Sequence, residues 1–141
     1  MQPAGLRRPW RLARAVAAAY LAGWRVRRGG GLPFDRLVDE LRQGRPFAGP
    51  LADPDLHLRV VGRLLPLLPP RQMGPCMKRS LLLLNLWSRC GLAPCLHLGA
   101  APLGEGLLGH AWLTADAHGR ALRAGSSEGQ RELFAFPPPS F

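Results

Sequence analysis

The spacing of apolar residues changes at Gly91, and this change constrains the fold more than any other feature of the chain. Before Gly91, apolar residues recur three and four positions apart, as on one face of a helix. That spacing predicts helices over residues 9–28, 34–42, 56–68 and 76–90. After Gly91, short apolar runs separated by turn residues predict strands over residues 95–100, 107–115, 120–123 and 133–136. Helices followed by an antiparallel sheet define an α+β protein.

Local signals refine the boundaries of these helices. Asp55 is the predicted N-cap of the third helix, and Pro66 is predicted to kink or end it. The fourth helix is apolar nearly all round between positions 81 and 86, so we expect it to be central and buried. Gly91 follows it, where a glycine commonly ends a helix.

The length of 141 residues predicts one domain spanning residues 1–141. Within it we distinguish an N-terminal helical region (1–70), a core of helix and sheet (71–136) and a Pro-rich tail (137–141). A chain of this length buries a hydrophobic core without needing disulfides. Its 3 cysteines, a small and odd number, favour free thiols in a reducing compartment, so we expect a cytoplasmic protein.

The chain carries a net charge of +10, from 19 basic and 9 acidic residues, and Lys78 is the only lysine. Such an excess favours an acidic peptide, a nucleic acid or an anionic membrane as a partner. Arginine-rich coding in a GC-rich bacterial genome accounts for the charge equally well. The sequence has no zinc-finger spacing and no basic motif interleaved with aromatic residues, so we predict no nucleic-acid partner.

Residues 1–34 contain seven arginines and no acidic residue, a composition typical of transit peptides and of helices that lie on membranes. The apolar part of this segment is too short to cross a bilayer. Within it, an apolar residue recurs every four positions, at Leu12, Val16, Tyr20 and Trp24. These residues share one helical face, and we predict that this stripe packs against the rest of the chain. Membrane contact by this helix is the less favoured alternative.

Cys76 has the sequence context of a nucleophile. It follows Gly74 and Pro75 and starts the fourth predicted helix. A helix N-terminus carries about half a positive charge and free N–H groups, which favour the thiolate. Lys78 and Arg79 add positive charge nearby. A lone cysteine is more often a small buried hydrophobe, but its position at a helix start favours the nucleophile here.

His110 is the predicted base. Strand alternation places His110 and Trp112 on the same face. An imidazole that faces Cys76 takes the thiol proton and later returns it to a leaving amine, so this interpretation requires the His110 face to lie against the Cys76 helix. A satisfied core histidine is the alternative, and Trp112 is either a shield against water or a core residue. We predict that His57 and His118 are surface residues.

Cys90, Cys95 and His97 raise the alternative of a metal site. The spacing Cys-x4-Cys-x-His differs from that of common zinc sites, and no fourth ligand follows at a familiar interval. The glycines at 29–31 lack the strand and the Lys-Ser/Thr pair of a phosphate-binding loop. We therefore predict neither a metal nor any other cofactor.

The order of these features resembles the transglutaminase-like leader peptidases of lasso-peptide biosynthesis, the protease half of the B protein. The resemblance covers residues 58–123 and rests on Cys76 with Arg79-Ser80, Arg89-Cys90-Gly91, Leu98-Gly99, His110-Ala111-Trp112 and Gly119-Arg120. It implies that residues 71–136 form a transglutaminase-like core with a papain-like mechanism. In that mechanism a Cys-His-Asp triad cleaves the leader from a ribosomally made precursor, and Cys76 and His110 match its first two members.

The third member of the triad has no clear match. The family places an Asp just after the strand that follows the HAW strand, where this chain has Arg123-Ala124-Gly125. We take Asp116 as the candidate that orients His110, with a turn role for Asp116, the carboxylate of Glu128, or a backbone carbonyl or amide as alternatives. By analogy with papain-like enzymes, Gln72 is the candidate oxyanion donor beside the N–H of Cys76, with an exposed loop residue as the alternative.

These features predict a cysteine endopeptidase that removes a leader through an acyl-enzyme on Cys76, with His110 as base and then acid. The chain is too short to include the recognition domain of fused B proteins. The resemblance therefore implies three partners: the precursor peptide, a separate leader-recognition protein and the ATP-dependent lasso cyclase. The missing carboxylate at Ala124 motivates one alternative, a catalytically weak module that presents the precursor. The other alternative is an amide-forming acyl transferase on the same dyad.

Overall fold

Within residues 4–139, four α-helices precede a four-stranded antiparallel sheet. The structure is a computed structural model that describes residues 4–139, with side chains from residue 9 onward except at position 103. The first three residues of the N-terminal region and the last two of the tail lie outside the described residues. The helices are α1 (Ala4–Arg28), α2 (Phe34–Leu41), α3 (Pro54–Leu64) and α4 (Pro75–Arg89). The strands are β1 (Cys95–Leu103), β2 (Gly106–Ala117), β3 (Arg120–Ala124) and β4 (Arg131–Phe136). This order confirms the predicted α+β class.

Helix α1 packs through small side chains, and the prediction for its packing face was wrong. From residue 9 onward, the buried apolar side chains of α1 are Ala15, Ala18, Ala19, Ala22 and Val26. Of the predicted stripe, only Val16 packs partly against the core, whereas 53% of Leu12 and 45% of Trp24 are exposed. A Cβ on Gly23 would lie 2.6 Å from the carbonyl oxygen of Pro69, so the helix runs very close to that loop. Because the distance between packed elements depends on the side chains at the contact, bulky residues on this face would hold α1 away.

The start of α3 is fixed by Asp53 rather than by the predicted cap, Asp55. An Asp53 carboxylate oxygen accepts a hydrogen bond from the backbone N–H of Asp55 at 3.0 Å. The same carboxylate is paired with Arg11, which ties α1 to α3. The helix ends at Leu64 and a short 3-10 turn containing Pro66 follows, which confirms the predicted break.

His57 is buried, so its prediction as a surface residue was wrong. Its side chain is 0% exposed. Nε2 lies 2.7 Å from the carbonyl oxygen of Leu51, and the ring stacks on Phe47 with centroids 4.6 Å apart. Burial lowers the pKa of His57 below its ordinary value, because a charged imidazole is poorly solvated there. His118, by contrast, lies exposed at the turn between β2 and β3 with a φ of 54°, as a surface residue.

The lowered pKa of His57 predicts acid-sensitive stability. Above the unfolded pKa of about 6.5, both states are neutral and the stability is intact. As the pH falls below that value, the unfolded chain binds a proton that the folded chain does not. The free energy of unfolding then falls by at most about 1.4 kcal/mol per pH unit until the folded pKa is reached. Urea unfolding of wild type and of His57→Gln at several pH values checks this: His57→Gln should lose that pH dependence, and His118→Asn should keep it.

Helix α4 is the centre of the core, as predicted. Its residues from Leu81 to Leu84, with Leu86 and Trp87, are 0% exposed. Two polar side chains inside it bind carbonyl groups of neighbouring segments. Nζ of Lys78 donates to the carbonyl of Leu68 at 2.9 Å, and Nδ2 of Asn85 donates to that of Leu41 at 2.9 Å. These bonds fix the position of α4 against the end of α2 and against the loop that precedes α4.

The sheet has the order β3-β2-β1-β4, with every neighbouring pair antiparallel. One face carries Leu96, Leu113, Leu122 and Ala124 into the core that α4 dominates. The opposite face carries His97, His110, Trp112 and Thr114, since paired positions share a face. β3 ends with Ala124 opposite Leu113, so β2 has no β3 partner at His110. His110 therefore lies where β2 has an open edge.

Candidate active site

Cys76 lies in the first turn of α4, as the sequence predicted. Pro75 is the first helical residue and Gly74 is the N-cap. The Cys76 side chain is half-buried. The first N–H groups of a helix have no partners within the helix, and the helix dipole adds positive potential at this end, so this end of α4 offers groups that stabilise a developing negative charge.

Lys78 does not contribute charge to the thiol in the predicted way. Its side chain is 3% exposed and its ammonium group binds the carbonyl of Leu68. Burial, with a smaller contribution from the charge of Arg71, lowers the pKa of Lys78. Its role is to hold the loop that precedes α4.

His110 is oriented by a main-chain group. Its Nε2 lies 2.6 Å from the carbonyl oxygen of Ser126. A carbonyl oxygen only accepts hydrogen bonds, so this contact assigns the proton of the neutral ring to Nε2 and leaves Nδ1 as the basic nitrogen. In Ser-His-Asp triads the carboxylate fixes the tautomer in this way, and here a carbonyl occupies its place.

Asp116 does not reach His110, which corrects its prediction as the third member. It is exposed and pairs with Ala121 near the far end of β2. Six residues of extended strand separate the two side chains, or about 20 Å. The Glu128 side chain is exposed, and its backbone N–H donates to Oγ of Ser126 at 3.1 Å. Glu128 therefore helps to shape the loop that carries the Ser126 carbonyl.

Arg79 connects the Cys76 turn to this loop. It lies three residues after Cys76, on the same side of α4. A Cβ on Gly125 would lie 2.9 Å from Nη2 of Arg79 and 3.3 Å from Cβ of Trp112. Gly125 also has a φ of +94°, which L side chains rarely adopt. The Arg79 guanidinium thus fills the space beside Gly125, next to the residue that orients His110.

Trp112 separates two histidines on the outer face of the sheet. Its ring stacks on His97 with centroids 5.3 Å apart, and on His110 with centroids 5.9 Å apart. Trp112 is 5% exposed, and a Cβ on Gly99 would lie 2.8 Å from its ring. His97 is held by the carboxylate of Glu132 and, at 2.7 Å, by the hydroxyl of Thr114. The stacked rings of His97 and Trp112 therefore pack beside the His110 ring and limit its movement.

The structure places α4 against β2 and leaves the pairing of Cys76 with His110 as a prediction. Arg79 on α4 reaches the loop that binds His110. The face of β2 that packs on α4 carries Ala111 and Leu113, so His110 lies on the opposite face, and the prediction that its face lies against the Cys76 helix was wrong. Among the hydrogen bonds of the described residues, none joins Cys76 to His110. Gln72 is exposed in the loop before α4 and stays a prediction.

The other two thiols have a different chemistry. Burial raises the pKa of Cys90 to about 12, and burial also raises the pKa of Cys95. Both thiols are therefore protonated near neutral pH and are poor nucleophiles. Among the residues that the structure describes, no group of three His, Cys, Asp or Glu side chains is arranged to hold a metal ion.

The site contains two residues that the sequence reasoning missed as functional, Arg79 and Ser126. Arg79 was noted for its charge and as part of the Arg79-Ser80 motif, whereas the structure uses its length to reach Gly125. Ser126 acts through its carbonyl oxygen, which every residue type has. The available signal was Gly125, because a glycine directly after a strand often marks a positive φ or a close approach.

The comparisons with known proteins agree with this architecture. The family model of the transglutaminase-like superfamily matches residues 24–133, which is well over half of the chain. Neither a curated protein nor a solved structure shows a significant match. The chain therefore belongs to the transglutaminase-like superfamily, which includes cysteine proteases and acyltransferases. In the described part of the chain, no helix is both long and apolar enough to cross a membrane.

Removal of Arg79 is expected to lower catalysis without unfolding the protein. Without the guanidinium, the Gly125–Ser126 turn loses its support and the carbonyl that orients His110 moves. A shift of about 1 Å at such a group costs about a hundredfold in rate. In peptide-bond cleavage we expect Arg79→Ala to lower kcat ten- to a hundredfold with little change in KM, while Arg71→Ala, an exposed arginine near the same helix end, stays close to wild type. Gly125→Ala should produce a similar loss, and wild-type kcat in both variants would contradict this role.

Proposed function

We propose that this protein is a cysteine endopeptidase that removes the leader peptide from a lasso-peptide precursor. The observation that carries the proposal is the hydrogen bond from Nε2 of His110 to the Ser126 carbonyl. This bond leaves the basic Nδ1 available in a part of the sheet that Arg79 links to the Cys76 turn. Membership of the superfamily supports cysteine-dependent acyl chemistry, and the motif order around Cys76 and His110 supports leader removal.

The proposed reaction proceeds in two halves. Nδ1 of His110 takes the thiol proton of Cys76, and the sulfur attacks the carbonyl carbon of the scissile peptide bond. The resulting oxyanion is stabilised by the N–H of Cys76 at the start of α4, with Gln72 as the proposed second donor. The tetrahedral intermediate collapses, the C–N bond breaks, and the imidazolium gives its proton to the leaving amine. His110 then removes a proton from water, which attacks the thioester and releases the carboxylate product and the free thiol.

A carbonyl partner is weaker than a carboxylate in one respect. Both fix the tautomer of the neutral ring, but a neutral carbonyl gives less electrostatic stabilisation to the imidazolium that forms during the reaction. This difference suits an enzyme that cleaves one bond in one precursor, where a modest kcat is sufficient. The carbonyl partner also gives a chain with Arg123-Ala124-Gly125 at the family's Asp position a main-chain group that orients His110.

The proposed partners follow from the same assignment. A leader-recognition protein presents the precursor, and an ATP-dependent lasso cyclase uses the freed core peptide. The test is a reconstituted reaction of this protein with a precursor and its recognition protein, read by mass spectrometry. Hydrolysis separates the precursor into two fragments whose masses sum to that of the precursor plus one water. Acyl transfer to an amine instead gives a product without that water and would replace the protease assignment, and an intact precursor would contradict both.

A further inference from the structure

A basic cleft lies at the opposite end of α4 from Cys76. It has a volume of about 640 Å³ and is lined by Leu21, Trp24, Arg25, Arg28, Gly44, Arg45 and Arg89. Thirteen residues of helix separate Cys76 from Arg89, which corresponds to about 20 Å. The cleft is therefore distinct from the candidate active site and is not used by the proposed reaction.

Two of its arginines are held in place by the main chain. Nη1 of Arg25 donates to the carbonyl of Gln43 at 2.9 Å, and Nε of Arg89 donates to the carbonyl of Arg45 at 2.9 Å. The guanidinium carbon of Arg89 also lies 4.1 Å above the centre of the Phe47 ring. These contacts use only part of each guanidinium. The remaining N–H groups are available to a ligand at reduced entropic cost, because the side chains are already ordered.

Gly44 allows the two arginines to converge. A Cβ at this position would lie 2.7 Å from Nη1 of Arg25 and 3.0 Å from Cδ of Arg89. Its φ of +141° is also unfavourable for residues with a side chain. The loop thus provides a bare stretch of backbone, against which the Arg25 guanidinium and the aliphatic part of the Arg89 side chain pack.

The positive charge of the cleft has no internal counterpart. Its described lining residues include four arginines and no carboxylate. The three ion pairs within the described residues involve other side chains. Burial, followed by the charge of Arg25, lowers the pKa of Arg89, as expected where like charges are close together. The C-termini of α1 and α4 provide only about half a negative charge each. The cleft is therefore complementary in charge to a ligand that carries several anionic groups.

One wall of the cleft is apolar and open to solvent. Leu21 is 63% exposed and Trp24 is 45% exposed. We propose that the cleft binds an acidic peptide segment in which neighbouring carboxylates flank an apolar side chain. Arginine forks pair with carboxylates bidentately, while Leu21 and Trp24 cover the apolar side chain. A single cleft lined by four arginines fits a short peptide segment better than the extended phosphate backbone of a nucleic acid. A concave site also does not fit the flat surface of a membrane.

The test is peptide binding to the full-length chain carrying Cys76→Ala, which keeps any cleavage out of the measurement. The probe is a fluorescent peptide with two Glu residues on each side of a Leu, measured by anisotropy at several salt concentrations. We expect the double variant Arg28→Ala/Arg45→Ala to weaken binding about tenfold or more, because two charge-assisted contacts are lost. The matched control Arg59→Ala/Arg63→Ala removes the same charge from exposed positions in the groove between α1 and α3 and should bind as tightly as the parent.

Three results would overturn the proposal. Equal weakening in both double variants would show that net charge alone attracts the peptide. Tighter, cleft-dependent binding of a single-stranded oligonucleotide or of phosphatidylglycerol vesicles would assign the surface to another class of partner. A peptide with Gln in place of Glu should not bind, and binding of that peptide would also contradict the proposal. The measurement does not depend on protease activity, so its failure leaves the proposed function untouched.

Discussion

Replacement of Cys76 with alanine is expected to abolish leader cleavage, with a loss of at least about 10³-fold in kcat. The acyl-enzyme cannot form without the sulfur, and the remaining oxyanion donors provide little rate for a peptide bond. The side chain is half-buried in the first turn of α4, where alanine is well tolerated, so the variant should fold normally. The measurement is single-turnover cleavage of a precursor in the reconstituted mixture.

Cys95→Ala is the matched control, because burial raises the pKa of that thiol and keeps it unreactive. It should cleave at close to the wild-type rate. Iodoacetamide at neutral pH should label Cys76 first and block cleavage in step with labelling. If Cys76→Ala protein still releases the leader, then the protease assignment is wrong and the module that presents the precursor becomes the better description.

Replacement of His110 with alanine is expected to lower kcat by about 10³-fold, within the range for loss of a general acid and base. His110→Ala also leaves a cavity beside Trp112 and an unpaired Ser126 carbonyl, so a loss of rate alone does not separate chemistry from structure. Added imidazole separates them. If the ring acts as the base, then free imidazole entering the cavity should restore part of the rate.

His118→Asn provides the control for His110, because His118 is exposed at a turn and asparagine accepts its positive φ. Its rate should equal that of wild type. Folding of His110→Ala is checked by thermal unfolding. A folded His110→Ala protein that cleaves at the wild-type rate would exclude this residue as the base and remove the main support for the dyad.

The sequence was a good guide to the elements and a poor guide to the face of α1. Periodicity and breaker residues located α2, α4 and the four strands, because those signals act locally. The packing of α1 was predicted from its large apolar residues, whereas the core accepts the stripe of Ala15, Ala18, Ala19 and Ala22. Which stripe packs depends on how closely α3, α4 and the Pro69 loop approach, and this tertiary information is not contained in a local pattern.

The candidate site was likewise predictable only in part. Cys76 and His110 were selected by residue type and position, and their catalytic roles stay predictions. A backbone carbonyl was among the alternatives for the partner of His110, but the sequence did not identify Ser126 as the residue that provides it. The burial of His57 was missed for a related reason, since its acceptor is the carbonyl of Leu51. Main-chain acceptors leave no mark in a sequence, and only the path of the loops determines where they point.

The main-chain partner of His110 has a consequence for inheritance. A triad with a carboxylate can be broken by a single codon change at its third position, whereas the oxygen of Ser126 survives every codon that encodes an amino acid. The selective constraint is thereby transferred from one chemical group to the shape of a turn, and so to Gly125 and Arg79. Among descendants of this chain, a change at position 126 keeps the acceptor oxygen and loses only the contact of the Ser126 hydroxyl with the N–H of Glu128, while a change at Gly125 or Arg79 alters the turn itself.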